Sequence, residues 1–206
     1  GARRPGVIEE RCMRNLEIKA AVPSVGPVRS RLRALEGARR HATLRQADWY
    51  FRVPKGRLKL RTVGAGRGGE LIAYLRPDRR SARTSEFQLL PTADAAGVGR
   101  LLEQMLGVRA CVRKRREVWL YQNARIHLDT VDGLGCFVEI EVVVTGGMAQ
   151  ARALMNELRV VLGIKPTALL AGSYGELTVR RQGIGGRREG MGVTRAARGK
   201  KPPSTR

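Results

Sequence analysis

The sequence predicts an α+β protein in which a mostly antiparallel sheet carries a few packed helices. Eight short segments alternate apolar and polar residues, which is the period of a strand with one buried face. Turn signals join several of these segments, namely PKG at 54–56, GAGRGG at 64–69 and DGLG at 132–135. Three longer segments repeat apolar residues at helical spacing instead.

The predicted strands combine this alternation with β-branched and aromatic residues, which fit a pleated, half-buried surface. In chain order they span residues 14–22, 47–53, 57–63, 70–76, 84–89, 112–121, 124–131 and 136–144. The short turns between consecutive strands favour antiparallel neighbours, because parallel strands need a long crossover connection.

The predicted helices occupy residues 24–38, 93–107 and 147–163. In the first, Val28 and Leu32 recur at helical spacing, and Ser24 is a candidate N-cap. The other two end at Gly107 and Gly163, and glycine is the residue that most often terminates a helix.

The charge balance indicates an anionic partner. The chain of 206 residues contains 40 Lys and Arg against 18 Asp and Glu, a formal net charge of +22. Such an excess of positive charge is typical of proteins that bind nucleic acid, an acidic membrane surface or phosphorylated small molecules.

Cysteine usage and hydropathy restrict the cellular setting. Cys12, Cys111 and Cys136 are odd in number and widely spaced, which favours reduced thiols over a disulfide framework or a zinc site. The first residues lack the apolar core of a signal peptide, and no apolar run is long enough to span a bilayer. We therefore expect a soluble, cytoplasmic protein that does not bind membranes.

Composition also divides the chain. Residues 1–13 read as a flexible N-terminal arm, residues 14–179 as one domain, and residues 180–206 as a basic tail. The tail holds nine Lys and Arg against one Glu, is rich in Gly and has no apolar period, so we expect it to be disordered. Its charge suits non-specific contact with nucleic acid.

The polar halves of the strands carry charges that segregate by type. RLKLR places Arg57, Lys59 and Arg61 on one face, and RKRREVW aligns Lys114 and Arg116. FVEIEVVV places Glu139 and Glu141 on one face in the same way. On any single strand this pattern is typical of a solvated face. Its recurrence on nearly every strand favours a barrel whose charged faces point into a wet lumen that holds a polyanion. Carboxylates there would repel phosphates unless a divalent cation lay between them.

The segments RNLEIKA, QADWYF, RLKLR, LIAYLRPD, ARTSEF, KRREVW, RIHLDTVDGLGCFVEIEVVV and SYGEL resemble, in this order, the CYTH superfamily of triphosphate tunnel metalloenzymes. The superfamily includes class IV adenylyl cyclases and thiamine triphosphatase, and the resemblance covers roughly residues 14 to 177. It implies an α+β fold, an eight-stranded antiparallel β-barrel tunnel with helices packed on the outside. It also implies that the tunnel binds triphosphate together with Mg²⁺ or Mn²⁺.

The resemblance assigns roles by position. The implied metal ligands are Glu17, Asp129, Glu139 and Glu141. The implied phosphate-binding residues are Lys59, Arg61, Arg76, Arg83, Lys114, Arg116 and Arg125. Lys19 is implied to act with Glu17, Glu139 and Glu141 in catalysis, by contacting phosphate or by orienting the nucleophile. Asn15 stands where the superfamily has a glutamate, so that position offers a carbonyl oxygen but no charge.

Several side chains admit two interpretations. His127 shares the charged face and is either a hydrogen-bonding structural residue or a proton carrier. Tyr174 either caps the site or packs the C-terminal part of the domain. Four aromatic residues either stack a substrate ring at the tunnel mouth or pack in the core: Trp49, Tyr50, Trp119 and Tyr121.

The expected function is metal-dependent phosphoryl transfer on a triphosphate-containing small molecule such as ATP, thiamine triphosphate or inorganic triphosphate. Hydrolysis is favoured because it needs no precise placement of a nucleoside. The alternatives are a class IV-type adenylyl cyclase that releases pyrophosphate, and a non-catalytic protein that binds triphosphate or nucleic acid. The expected assembly is a monomer or a homodimer.

Overall fold

A computed structural model of the protein describes residues 15–75 and 83–183. The described residues form eight strands: β1 Asn15–Val22, β2 Arg39–Phe51, β3 Arg57–Val63, β4 Gly69–Leu75, β5 Arg83–Thr92, β6 Val108–Tyr121, β7 Ala124–Val131 and β8 Gly135–Val143. They also form four α-helices: α1 Gly26–Ala34, α2 Ala95–Leu106, α3 Met148–Val161 and α4 Tyr174–Gln182. One 3₁₀ turn spans Pro166–Ala168.

The strands form an antiparallel barrel in the order β1-β5-β4-β3-β2-β6-β7-β8, with β8 returning to β1. The β1–β8 pairing runs the full length of β1, whereas among the described residues β1 and β5 pair over Asn15–Glu17 and Arg83–Ser85. The predicted α+β fold, an eight-stranded antiparallel barrel with helices outside, is thereby confirmed.

Helices α1 and α3 cover the outer face of β1, β7 and β8. The apolar members of these strands form one buried cluster with Leu32 of α1 and with Leu154 and Leu158 of α3. Leu16, Ile126 and Ile140 of the strands are almost fully excluded from water in this cluster. Burial of this apolar face fixes the opposite, polar face of the same strands toward the lumen.

Helix α2 covers the outer face of the other half of the barrel. It packs its apolar stripe against Phe51 of β2 and Leu60 of β3. Asp94 caps α2 by accepting a hydrogen bond from the backbone N–H of Gly97 at 2.9 Å. Helix α4 differs from the others, because Tyr174 at its start packs with Val112 and Phe137, which alternate onto the lumen side of β6 and β8.

Strand β2 starts eight residues earlier than the alternation predicts, at Arg39 in place of residue 47. The first half of β2 is mostly exposed and lacks an apolar period. Hydrogen bonding to β6, and not the local sequence pattern, therefore makes this half a strand. Strand β6 likewise begins at Val108 in place of residue 112. Ser24 is not the cap residue of α1, which is Val25, although the Ser24 hydroxyl accepts from the Gly26 N–H at 3.1 Å.

Helix α4 is absent from the predicted helices, and it continues through Gln182 into the segment assigned to the basic tail. The N-terminal arm and tail residues 184–206 lie outside the described residues. Neither Cys111 nor Cys136 forms a disulfide within the described part of the chain, and Cys12 lies outside the described residues. No helix in the described part of the chain has the length and apolarity that crossing a membrane requires.

Candidate functional site

Polar and charged side chains fill the barrel lumen. Most members of this set are almost entirely withdrawn from solvent: Asn15, Glu17, Lys19, Gln46, Asp48, Lys114, Arg116, His127, Asp129 and Glu139. They alternate along their strands with residues of the outer apolar clusters, so their burial is burial inside the barrel. Buried charges on this scale require partners, and the structure supplies them in two groups.

The first group forms where β1, β8 and β7 lie side by side. In this register Lys19 and His127 flank Glu139 from the two neighbouring strands. One step along β8, Glu17 and Arg125 flank Glu141 in the same way. The sequence-predicted carboxylates Glu17, Glu139 and Glu141 therefore lie on adjacent strands of one lumen wall.

His127, Glu139 and Glu141 form a group that could hold a metal ion, since one ligand atom from each lies within 4.8 Å of the others. The His127 Nδ1 atom is 3.5 Å from Glu139 Oε2 and 3.7 Å from Glu141 Oε1. Carboxylate oxygens and an imidazole nitrogen are ordinary ligands of divalent metals. The donors present therefore fit a dication at this wall.

Glu139 is held in its ionised form by positive neighbours. Burial alone raises the pKa of a carboxyl, but Lys19 and Arg116 outweigh it and hold the pKa of Glu139 well below its usual range. The Arg116 Nη2 donates to Glu139 Oε2 at 2.7 Å, and Lys19 Nζ lies 3.4 Å from Oε1. The carboxylate is thus available as an anionic ligand at neutral pH.

The Asp129 carboxylate accepts hydrogen bonds from Arg116 and from Tyr174. Arg116 donates to its two oxygens at 2.7 and 2.6 Å, and the Tyr174 hydroxyl donates to Oδ2 at 2.7 Å. Burial raises the pKa of Asp129, yet Arg116 brings it below its ordinary value. Asp129, a predicted metal ligand, is not part of the group formed by His127, Glu139 and Glu141.

The second group surrounds Asp48 of β2, which the sequence reasoning missed. Asp48 is fully buried and accepts from Arg61 Nε at 2.7 Å, Arg61 Nη2 at 3.0 Å and Lys114 Nζ at 2.7 Å. Lys59 Nζ lies 3.6 Å from Oδ2. Burial raises the pKa of Asp48, but Lys59, Lys114 and Arg61 together hold it well below its usual range.

The lysines of this group have weakened basicity. Burial, with the nearby charge of Arg61, lowers the pKa of Lys59 to about 7 in spite of the opposing effect of Asp48. Burial likewise lowers the pKa of Lys114 to about 8, against the attraction of Asp48. These pKa values place the change in protonation state of both ammonium groups close to physiological pH.

Four predicted phosphate-binding residues, Lys59, Arg61, Lys114 and Arg116, face this lumen. Arg125 lies farther along the tunnel beside Glu141, at 3.2 Å, and its side chain is 36% exposed. Arg76 lies outside the described residues, and Arg83 is described only as backbone, where it pairs with Glu17.

Helix α4 closes one end of the tunnel and is called the plug below. The Tyr174 ring packs edge-on against Phe137 with centroids 5.0 Å apart, and Lys19 Nζ lies 3.9 Å from the Tyr174 centroid. Ser173 and Glu176 form a capping box, and the Glu176 carboxylate also accepts from Arg57 of β3 at 2.8 Å. Tyr174 therefore both packs the C-terminal helix and caps the charged lumen.

A closed antiparallel barrel with Arg, Lys and carboxylate side chains facing one another inside defines a class of tunnel proteins suited to polyanions. The CYTH domain model matches residues 13–174, and the chain belongs to this family. No curated protein sequence matches the chain at a significant level.

Solved structures share the fold. A protein from Pyrococcus horikoshii superposes with a TM-score of 0.71 at 23% identity, covering 79% of this chain and 98% of that one. A Pyrococcus furiosus protein gives 0.71 at 22% identity, covering 79% and 99%. A Vibrio parahaemolyticus protein provisionally named an adenylate cyclase gives 0.61 at 18% identity, covering 79% and 96%. These likenesses establish the barrel architecture.

Proposed function

We propose that the protein binds a triphosphate-containing small molecule in its lumen and hydrolyses it in a metal-dependent reaction. One observation carries the proposal: the Asp48 cation group and the group of His127, Glu139 and Glu141 share one buried lumen, with Arg116 contacting Glu139. A phosphoanhydride chain needs both features, because cations must bind its oxygens and carboxylates must hold the dication.

The cations of the lumen would hold the phosphate chain. Arg61 and Arg116 offer rigid forks that suit phosphate oxygens, while Lys59 and Lys114 act as compact point charges. Asp48 keeps Arg61 and Lys114 aligned by direct hydrogen bonds. A bound polyanion would find these groups already oriented, which lowers the entropic cost of binding.

Glu139 and Glu141 would hold the dication, with Glu17 adjoining Glu141 across the β1–β8 pair. When bound, the dication supplies positive charge that offsets the negative charge of the triphosphate oxygens. Lys19, beside Glu139, would contact the phosphate chain or orient the attacking water. Because Asn15 stands in place of a glutamate, the negative charge of this wall would come from Glu17, Glu139 and Glu141.

The plug determines the direction of entry. Tyr174 and Phe137 close one end, whereas the Glu141 and Arg125 side chains, 18% and 36% exposed, lie toward the other end. Substrate would therefore enter past Glu141 and Arg125 and extend toward Arg116. The plugged end also limits access of bulk water, which strengthens the electrostatic contacts inside.

The four aromatic residues that could have stacked a substrate ring pack elsewhere in the structure. Trp119 and Tyr121 belong to the outer cluster beneath α1 and α3, and Trp49 packs on the α2 side. Tyr50 faces the lumen but packs with the plug. None of the four is placed to stack a base at the Glu141–Arg125 end, so these four aromatics do not supply a nucleoside-orienting platform.

A substrate panel with product identification tests the proposal. Purified protein is incubated with inorganic triphosphate, thiamine triphosphate and ATP, with and without Mg²⁺ or Mn²⁺, and phosphate, pyrophosphate and cyclic nucleotide are separated. We expect metal-dependent release of phosphate and a fall of ~10²-fold in Glu141→Gln, which removes one ligand charge. Cyclic AMP with pyrophosphate would identify a cyclase, and binding without turnover would identify a non-catalytic tunnel.

A further inference from the structure

We propose that His127 supplies a nitrogen ligand to the dication and makes this lumen select Mn²⁺ over Mg²⁺. The inference rests on the proposed function only in using the same metal wall, and it concerns which metal the wall prefers. It starts from the His127 ring, a side chain for which the sequence left the role open between structure and proton transfer.

The His127 ring is buried without a hydrogen-bond partner for one nitrogen. The residue is 5% exposed, and its Nδ1 atom has no hydrogen-bond partner among the residues that the structure describes. Buried polar atoms in folded proteins are nearly always satisfied, and an exception calls for a missing ion, water or ligand. The Nδ1 atom faces two carboxylates at more than hydrogen-bond distance, an arrangement that a dication bound by all three groups would satisfy.

The distances around Nδ1 suit ligands of a common ion. Nδ1 lies 3.5 Å from Glu139 Oε2 and 3.7 Å from Glu141 Oε1, too far for good hydrogen bonds. Two donors that each lie about 2.1 Å from one metal ion are themselves roughly 3–4 Å apart. A dication among the three atoms would therefore need only small side-chain movements.

The donor set determines the metal preference. Mg²⁺ is hard, takes oxygen ligands almost exclusively and keeps several of its waters. Imidazole suits the later first-row metals such as Zn²⁺ and Fe²⁺ best, and Mn²⁺, which favours oxygen ligands, still accepts a nitrogen ligand more readily than Mg²⁺ does. With two carboxylates and one imidazole, the wall is better matched to Mn²⁺ than a site made of carboxylates alone.

His41 provides a matched control. The chain has two histidines, and His41 lies exposed on the first half of β2, away from the lumen wall. His127→Asn keeps a polar atom near the position of Nδ1 but removes the imidazole nitrogen. His41→Asn makes the same chemical change at the surface.

Direct metal binding tests the inference without any substrate. Mn²⁺ is titrated into the full chain and its spectrum recorded by pulsed electron paramagnetic resonance, and Mg²⁺ is then used to displace it. We expect ¹⁴N modulation from a directly bonded imidazole in the wild type and in His41→Asn. In His127→Asn the modulation should vanish and the ratio of Mg²⁺ to Mn²⁺ dissociation constants should fall roughly tenfold or more.

Each outcome decides the matter. Absence of bound Mn²⁺ in the wild type, ¹⁴N modulation that persists in His127→Asn, or an unchanged affinity ratio would overturn the inference. If His127→Asn does not fold, the presence of the modulation in His41→Asn and the wild type still assigns it to His127. Triphosphate turnover with no nitrogen ligand would refute the inference alone, whereas nitrogen-ligated Mn²⁺ with no turnover would refute the proposed function alone.

Discussion

Arg61 of β3 and Asp48 of β2 form a bidentate ion pair inside the barrel, with Nε–Oδ1 at 2.7 Å and Nη2–Oδ2 at 3.0 Å. The same carboxylate accepts from Lys114 and lies near Lys59. Asp48 is therefore the internal counter-ion of a cation group that, in the proposed function, binds phosphate. Its removal should affect folding and ligand binding in opposite directions.

Asp48→Asn should destabilise the free protein and increase its response to triphosphate. The substitution leaves three buried cations without their counter-charge, and removing one partner of a buried ion pair costs about 3–5 kcal/mol. Inorganic triphosphate would return the missing negative charge. We expect the free energy of unfolding, measured by urea denaturation, to fall by this amount and to recover more on ligand addition than in the wild type.

Asp132→Asn is the control for this experiment. Asp132 lies exposed in the turn between β7 and β8, where Asn is equally compatible with a tight turn. The free energy of unfolding of the Asp132→Asn variant should differ from that of the wild type by less than about 0.5 kcal/mol. Equal stabilisation of Asp48→Asn and wild type by triphosphate would show that the cation group does not bind the ligand.

Triphosphate affinity should fall as the pH rises through about 7. Burial lowers the pKa of Lys59 to about 7, so this ammonium is charged below that pH and neutral above it. A charge-assisted hydrogen bond is worth about 1.5–3 kcal/mol, so its loss weakens binding roughly tenfold or more. Calorimetric titration of inorganic triphosphate from pH 6 to pH 9, at constant ionic strength, measures the effect.

Lys59→Arg separates this lysine from other titrating groups. A guanidinium remains protonated throughout the range, so the fall in affinity should move toward about 8, where Lys114 titrates. The protonation of triphosphate itself is the same for both proteins and cancels in the comparison. Identical pH profiles for the wild type and Lys59→Arg would exclude Lys59 from the binding site.

Gly175→Ala should displace the plug. A Cβ atom at Gly175 would lie 2.7 Å from the Tyr50 ring, closer than real Cβ atoms approach a neighbour. Overpacking of this kind costs about 1–3 kcal/mol. We expect lower thermal stability and faster hydrogen exchange in α4, because the helix must move away from β2 to make room.

Gly183→Ala, at the end of the same helix, is the matched substitution. Its Cβ would meet atoms at 3.5 and 3.7 Å, which is ordinary van der Waals contact. Exchange in the first turn of α4 should then match the wild type. If Gly175→Ala shows the same unchanged exchange, the close packing of Gly175 on Tyr50 does not hold the plug in place.

Glu117→Gln should lower stability at neutral pH but leave the tunnel chemistry intact. Glu117 faces outward and accepts from Arg29 of α1 at 2.9 and 2.8 Å. Those hydrogen bonds outweigh burial and lower the pKa of Glu117 from 4.5. The stability that the carboxylate contributes is thus present above pH 4.5 and lost as the pH falls through the lowered pKa.

Denaturation curves at several pH values test this prediction. The wild type should exceed Glu117→Gln by about 1–3 kcal/mol at pH 7, and the difference should shrink as the pH falls below 4.5. Any triphosphatase activity should be equal in the two proteins at pH 7. A stability gap independent of pH would mean that packing of the side chain, and not its charge, fastens α1 to β6.

Alternation was the strongest signal in the sequence. It assigned the inward side of most strands from local spacing alone, which is why Glu139, Glu141, Lys114 and Arg116 were all placed in the lumen. Asp48 was missed because QADWYF carries a single charge among small and aromatic residues, so the strand shows no charged alternation. The one local hint that Asp48 faces the lumen was its place two residues before Tyr50, on the same face of the strand.

The plug was missed for a different reason. SYGELTVRRQ is short and basic and holds few apolar residues itself, so its helical period is weak. The capping-box pattern of Ser173 and Glu176 was the local signal that could have marked its start. Its docking onto Phe137 and Asp129 depends on a barrel end that exists only after all eight strands have closed.

The sequence by itself thus determined the α+β class, the side of most strands that carries charge, and membership of the CYTH family. Only the tertiary structure decided which charges meet. Asp129 joins Arg116 and Tyr174, Asp48 joins Arg61 and Lys114, and His127 joins Glu139 and Glu141. The physical reason is that alternation fixes the face of a residue, whereas its partner depends on cross-strand register and on closure of the barrel, which are set by distant parts of the chain.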